Sequence, residues 1–212
     1  MSIRNDKSAL VGHLEDGTSD PVASAMGDNI TDRVLDATRA VLIRAEGRKI
    51  TLAEVAREAG VSRPTVYRRW PDVRTLTTDL VTRELIGTIA DIPARGDTLD
   101  DKVDRLVAVA EAIRDNDLLE MLWREPSTAL APYVFVRLGR SQHAALAILQ
   151  RAIADGQRRG DVRDGAPEEM AAMVLLICQS AIQSHAIVQP ILADRWTVEL
   201  RYALYSYLRV QS

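Results

Sequence analysis

With one cysteine, three histidines and only nine aromatic residues, one of them phenylalanine, 212 residues offer little to disulfide, soft-metal or aromatic chemistry. The single thiol, Cys178, excludes an internal disulfide framework and cannot supply a thiolate metal cluster. It falls in an apolar helical pattern and reads as a small core residue. His13 lies in a polar N-terminal stretch, while His143 and His185 fall on different predicted helices with no repeated Asp, Glu or Cys ligand spacing. Glycine-rich phosphate loops and nucleophile-elbow motifs do not occur, so no cofactor and no catalytic constellation are expected. The acid pairs Asp100–Asp101 and Glu168–Glu169 stand where helices begin, and the field of a helix N-terminus accounts for them without acid–base chemistry. The longest apolar runs, Met170–Cys178 and Ala144–Leu149, fall well short of the roughly 18–20 residues that span a bilayer. With no apolar signal core behind the N-terminus, the expectation is a cytoplasmic protein without a membrane partner.

Aromatic residues make up only 4% and alternating strand patterns are missing, which argues against a β architecture. What is present is 47% hydrophobic and 27% charged residues, with apolar positions recurring at helical spacing from Ile30 almost to the end. Residues 1–29 are polar and punctuated by Gly12, Gly17, Pro21 and Gly27, the pattern of a flexible arm. The net charge of −3 is unevenly spread: residues 28–75 hold ten basic against seven acidic side chains, and both flanking segments are acidic.

That basic segment contains the stretch "TLAEVAREAGVSRPTVYRRW", residues 51–70. Ile30, Val34, Val41, Leu42 and Ala45 mark one face of a preceding helix, which Gly47 can close. Thr51 and Glu54 have the spacing of a capping box, and Leu52, Val55, Ala56 and Ala59 form an inward stripe. Gly60 permits the left-handed residue that ends this second helix. Ser62 then caps a third, Pro64 suits its first turn, and Pro71 stops it after Trp70. The result is a helix-turn-helix in which Val66 and Trp70 point inward and Arg63, Thr65, Tyr67, Arg68 and Arg69 point out. Arginines suit phosphates and guanine edges, threonine a base or methyl group, and tyrosine a phosphate.

Over these residues, from Thr31 through "VSRPTVYRRWPDVRTL" to Leu76, the sequence resembles the TetR family of bacterial one-component transcriptional regulators. The resemblance implies that the third helix reads the major groove, while the tyrosine at Tyr67 and the helix starts at Thr51 and Ser62 grip phosphates. The family usually has lysine where this chain has Val73, so that contact is lost or shifted to Arg74. Trp70, where phenylalanine is more usual, is expected to be a larger core plug.

Asp72 can cap a fourth helix that leaves the module, followed by helices over about 98–114, 117–125, 132–159, 167–190 and 194–210. The expected fold is all-α, with an arm (1–29), a helix-turn-helix DNA-binding domain (30–75) and a helical ligand-binding and dimerisation domain (76–212). Ile182, Trp196, Leu200, Leu204 and Leu208 are the expected interface of a homodimer, which the resemblance places on the last two helices; closure of the chain's own core is the alternative for the same residues. Met121, Leu122, Trp123, Tyr133, Phe135 and His143, with Gln179 and Gln183 one turn apart, are the expected pocket for a small-molecule effector. The function expected is a dimeric regulator, most simply a repressor, that binds double-stranded operator DNA. A small helical enzyme or ligand carrier with a vestigial helix-turn-helix is the alternative.

Overall fold

A computed structural model describes residues 21–124 and 140–210, and among them the backbone is helical throughout apart from short connections. Three helices open the chain: α1 (Pro21–Ala45), α2 (Leu52–Glu58) and α3 (Arg63–Arg69). A long α4 (Val73–Asp91) follows, then α5 (Leu99–Arg114) and α6 (Asp117–Arg124). After the undescribed residues come α7 (Arg140–Arg159), α8 (Pro167–Gln183), α9 (His185–Leu192) and α10 (Trp196–Leu208).

Two boundaries differ from the sequence reading. Helix α1 is already formed at Pro21, inside the expected arm, where Ala23, Ala25 and Met26 are good helix formers. The helix expected over 167–190 breaks at Ser184, and Pro190 sits inside α9 rather than ending it. The amide of Ser184 still bonds back to Ser180, but the 3-10 turn at Ala193–Arg195 and the positive φ of Ala193 then redirect the chain into α10. No single described helix is long and apolar enough to cross a membrane.

Two apolar cores result. The first joins Val34, Val41, Leu52, Val55, Val66 and Trp70 to Leu76 and Leu80 of α4 and to Leu118 and Leu122 of α6. The second joins α5, α7, α8 and α10 through Val103, Val107, Ile153, Met170, Val174, Trp196 and Leu204. Val81 of α4 packs against both, so α4 is the structural bridge, extending past residue 75 without a break.

Candidate nucleic-acid interface and inner cavity

The helix-turn-helix is built by local hydrogen bonds. Thr51 Oγ1 accepts from the Glu54 amide at 3.2 Å while the Thr51 amide donates to Glu54 Oε2 at 2.8 Å, closing the capping box. That backbone donor, first among its contacts, holds the Glu54 carboxyl below the usual carboxylate range, with Arg48 adding to the effect at 3.1 Å. Gly60 takes φ +63°, and a feature invisible in the local pattern secures it: Arg33 of α1 donates to the carbonyls of Ala59 and Gly60. A guanidinium at the carboxyl end of α2 satisfies its last carbonyls and complements their negative field. Ser62 then caps α3, accepting from the Thr65 amide at 3.3 Å.

The outward face of α3 is narrower than expected. Arg63, Pro64, Tyr67, Arg68 and Arg69 are exposed, and Val66 and Trp70 are buried. Thr65 is half-buried and its hydroxyl shares a 2.7 Å hydrogen bond with Ser62, so it works first as part of the cap. Arg69 donates to Thr31 of α1. Arg63 and Arg68 have no ion-pair partner among the described residues. The module's acids, by contrast, are turned elsewhere: Asp32 and Asp36 onto Arg83, Glu58 onto Arg44, and Asp72 onto the Thr75 amide as the cap of α4. Positive charge therefore stays uncompensated at Arg63 and Arg68. Arg74, at the start of α4, is also exposed.

Trp70 does more than fill space. Its Nε1 donates to Asp79 Oδ2 at 2.9 Å, tying the end of α3 to α4. Arg83, on α4, reaches Asp36 at 2.7 Å and the Asp32 carbonyl at 3.3 Å, tying α4 to α1. Because these pairs lie 9, 47 and 51 residues apart, no periodicity signals them. Trp70→Phe keeps the apolar plug and deletes one bond to a carboxylate, so it should lower stability by about 1.5–3 kcal/mol in urea unfolding while leaving the helix content intact.

A cavity of about 400 Å³ lies between α4, α5, α6, α7 and α8. Leu122, Gln179 and Gln183 line it, as do Thr78, Thr82, Leu85 and Ile86 on one face of α4. Cys178 belongs to the same wall, where burial pushes its thiol up to about 12 and keeps it protonated. The other pocket expectations fare differently. Met121 packs against the first core, and His143 is exposed on α7 and absent from the described cavity wall, although Gln142, Ala144 and Ala145 of the same turn line it. The side chain of Trp123, and Tyr133 and Phe135, lie outside the described residues.

The expected dimer residues are packed largely within one chain. Trp196, Leu200, Leu204 and Leu208 are 3%, 5%, 0% and 4% exposed and belong to the chain's own second core, while Ile182 is buried and lines the cavity. A helix apolar nearly all round buries its strongest stripe first, and that stripe is taken within one chain. The exposed apolar face of this end instead comprises Met173 and Leu176 of α8, Ile187 and Ile191 of α9, and Val198 and Tyr202 of α10. Leu176, Ser180, Glu199 and Ala203 line an open groove between these helices, together with Trp196 and Leu200 of the expected set.

With this arrangement in view, similarity to known proteins fixes the class. Residues 34–76 match the model of bacterial regulatory proteins of the tetR family. An HTH-type transcriptional regulator of Mycobacterium tuberculosis, Rv2250c, is 40% identical over 177 residues, covering 83% of this chain and 93% of that one. Two solved structures share the fold: the Rhodococcus erythropolis repressor QsdR (TM-score 0.61, 15% identity, 87% and 98% covered) and RolR in complex with resorcinol (0.62, 14%, 89% and 91%). The chain belongs to the TetR family and is a DNA-binding transcriptional regulator of the helix-turn-helix type, not an enzyme.

Proposed function

We propose that the chain is a cytoplasmic, homodimeric repressor whose operator affinity is set by a small molecule held in the cavity. The observation that carries this reading is the position of α4, which caps off the helix-turn-helix at Asp72 and forms a wall of the 400 Å³ cavity with Thr78, Thr82 and Ile86. A ligand touching that wall bears directly on the helix that carries α3. Resorcinol in RolR and the repressor role of QsdR, both on this fold, support the same division of labour.

Operator contacts are assigned to Arg63, Tyr67 and Arg68 for the groove and nearby phosphates, with Arg69, Arg74 and the capped starts of α2 and α3 at Thr51 and Ser62 along the backbone; Pro64 and Thr65 shape the first turn of α3. One helix-turn-helix reaches few phosphates, so tight binding calls for two. The second copy is assigned to the exposed apolar side chains Leu176, Ile187, Ile191, Val198 and Tyr202 of α8, α9 and α10, the helices that also frame the groove lined by Leu176.

Selection of bound fragments from genomic DNA tests the reading. The expected product is a set of sites with two related half-sites about 34–36 Å apart or a multiple of that. Enrichment of no sequence over bulk DNA, or of single half-sites only, would overturn it.

A further inference from the structure

Among the cavity's described lining residues one side chain carries a formal charge, Arg105 of α5. The rest of that wall is aliphatic, or neutral and polar at Thr78, Thr82, Gln142, Gln179 and Gln183, with the Cys178 thiol beside them. Arg105 is half-buried and meets no carboxylate among the described residues. Its acidic neighbours on α5 are turned away: Asp100 and Asp104 pair with Arg201 at 2.5 and 2.7 Å, and Asp101 closes the capping box of Thr98.

Arg105 donates instead through Nε to the Ile92 carbonyl at 2.8 Å and through Nη2 to the Ile89 carbonyl at 3.1 Å, the last carbonyls of α4. A helix carboxyl end offers about half a negative charge, so the guanidinium is only partly compensated there. Two of its five N–H groups account for both bonds, and no other hydrogen bond of this side chain occurs among the described residues. A half-buried cation with donors to spare, lining an apolar chamber, favours a ligand that brings one anionic head and an apolar body. Among the described residues of the wall a cationic ligand finds no carboxylate and a second anionic group finds no second cation.

Resting on the reading of the cavity as an effector site, we propose that the effector is an amphiphile with a single carboxylate-like head, paired with Arg105, and an apolar body lying against α4, α7 and α8. The head draws on the same guanidinium that holds the Ile89 and Ile92 carbonyls, so binding loosens the last turn of α4. The ligand's charge is thereby read at one end of the helix whose other end follows α3.

Calorimetric titration of the full chain with decanoate, 1-decanol and decyltrimethylammonium, each below its micellar concentration, tests this. Decanoate should saturate at one per chain and bind roughly ten- to hundredfold more tightly than the alcohol, with the cation weakest. In Arg105→Gln the preference for decanoate should shrink to about threefold or less, while Arg105→Lys keeps most of it. Amide exchange at residues 89–92 should quicken when decanoate binds the unaltered protein. If Arg105→Gln does not fold, the carboxylate-to-alcohol ratio of the unaltered protein and of Arg105→Lys still decides. Equal binding of decanoate and decanol, or an undiminished preference in Arg105→Gln, overturns the anionic class and leaves the cavity as a ligand site. Saturable binding of none of the three overturns the inference outright. The operator-binding reading stands or falls separately, on the recognition-helix variants described below.

Discussion

Alanine at both Arg63 and Arg68 should remove most of the discrimination between operator and bulk DNA. Both side chains are exposed on α3 and neither has an ion-pair partner among the described residues, so neither is needed to hold the module together. A bidentate arginine–guanine contact contributes about 1–3 kcal/mol of discrimination, so the double variant should lose roughly 2–6 kcal/mol per half-site if both read bases. Its melting temperature should stay close to that of the unaltered protein, because the caps at Thr51, Ser62 and Asp72 and the Arg33 clamp remain. Tyr67→Phe should act differently. Its hydroxyl, if it grips a phosphate, weakens binding to every sequence alike. With about six phosphates neutralised per dimer, log affinity should fall against log salt with a slope near −5. Operator titrations at several salt concentrations measure all three quantities. An unchanged affinity in the double variant, or a slope near zero, would show that α3 is not the reading helix.

The coupling of that helix to the rest of the chain explains what the sequence revealed and what it hid. Thr51, Glu54, Gly60, Ser62 and Pro64 act on neighbours within four residues, and such local chemistry is legible from spacing alone; the structure repeats it bond for bond at the caps. Arg33, Trp70 and Arg83 act over larger separations, through Gly60, Asp79 and Asp36, and no pattern in one sequence pairs them. The cavity is of the second kind. Gln179 and Gln183 are recognisable as polar positions one turn apart in an apolar helix, whereas Arg105 looks like an ordinary basic residue among the acids of α5 until the end of α4 is laid against it. His143 shows the converse error, since a histidine in an apolar stretch suggests an inner position that its helix does not give it. Periodicity also reports that a face is apolar without reporting what covers it, which is why Leu200 and Leu204 could be read from the sequence either as interface or as the chain's own core, where they pack.

The proposed face leads to the second large effect, in which two pairs of substitutions on the last helices should fail in opposite ways. Leu200→Glu with Leu204→Glu places two carboxylates among Val103, Val107 and Val174, where the replaced side chains are 5% and 0% exposed. An unpaired buried charge costs several kcal/mol, and two of them rival the whole stability of an ordinary domain, about 5–15 kcal/mol. That variant should lose its cooperative unfolding transition and much of its helix signal. Leu176→Glu with Tyr202→Glu alters side chains that are 57% and 70% exposed within one chain, so the monomer's core is untouched. If a second copy covers this face, each carboxylate meets apolar surface and its own symmetry mate's charge across a twofold axis, and the dimer dissociates. The monomer should keep its circular dichroism spectrum, sediment at half the mass, and bind operator far more weakly, because one recognition helix contacts only half the phosphates. Sedimentation velocity and thermal unfolding on both variants separate the two outcomes. A folded monomer from the Leu200/Leu204 pair, or an undisturbed dimer from the Leu176/Tyr202 pair, would move the interface to another surface of the chain.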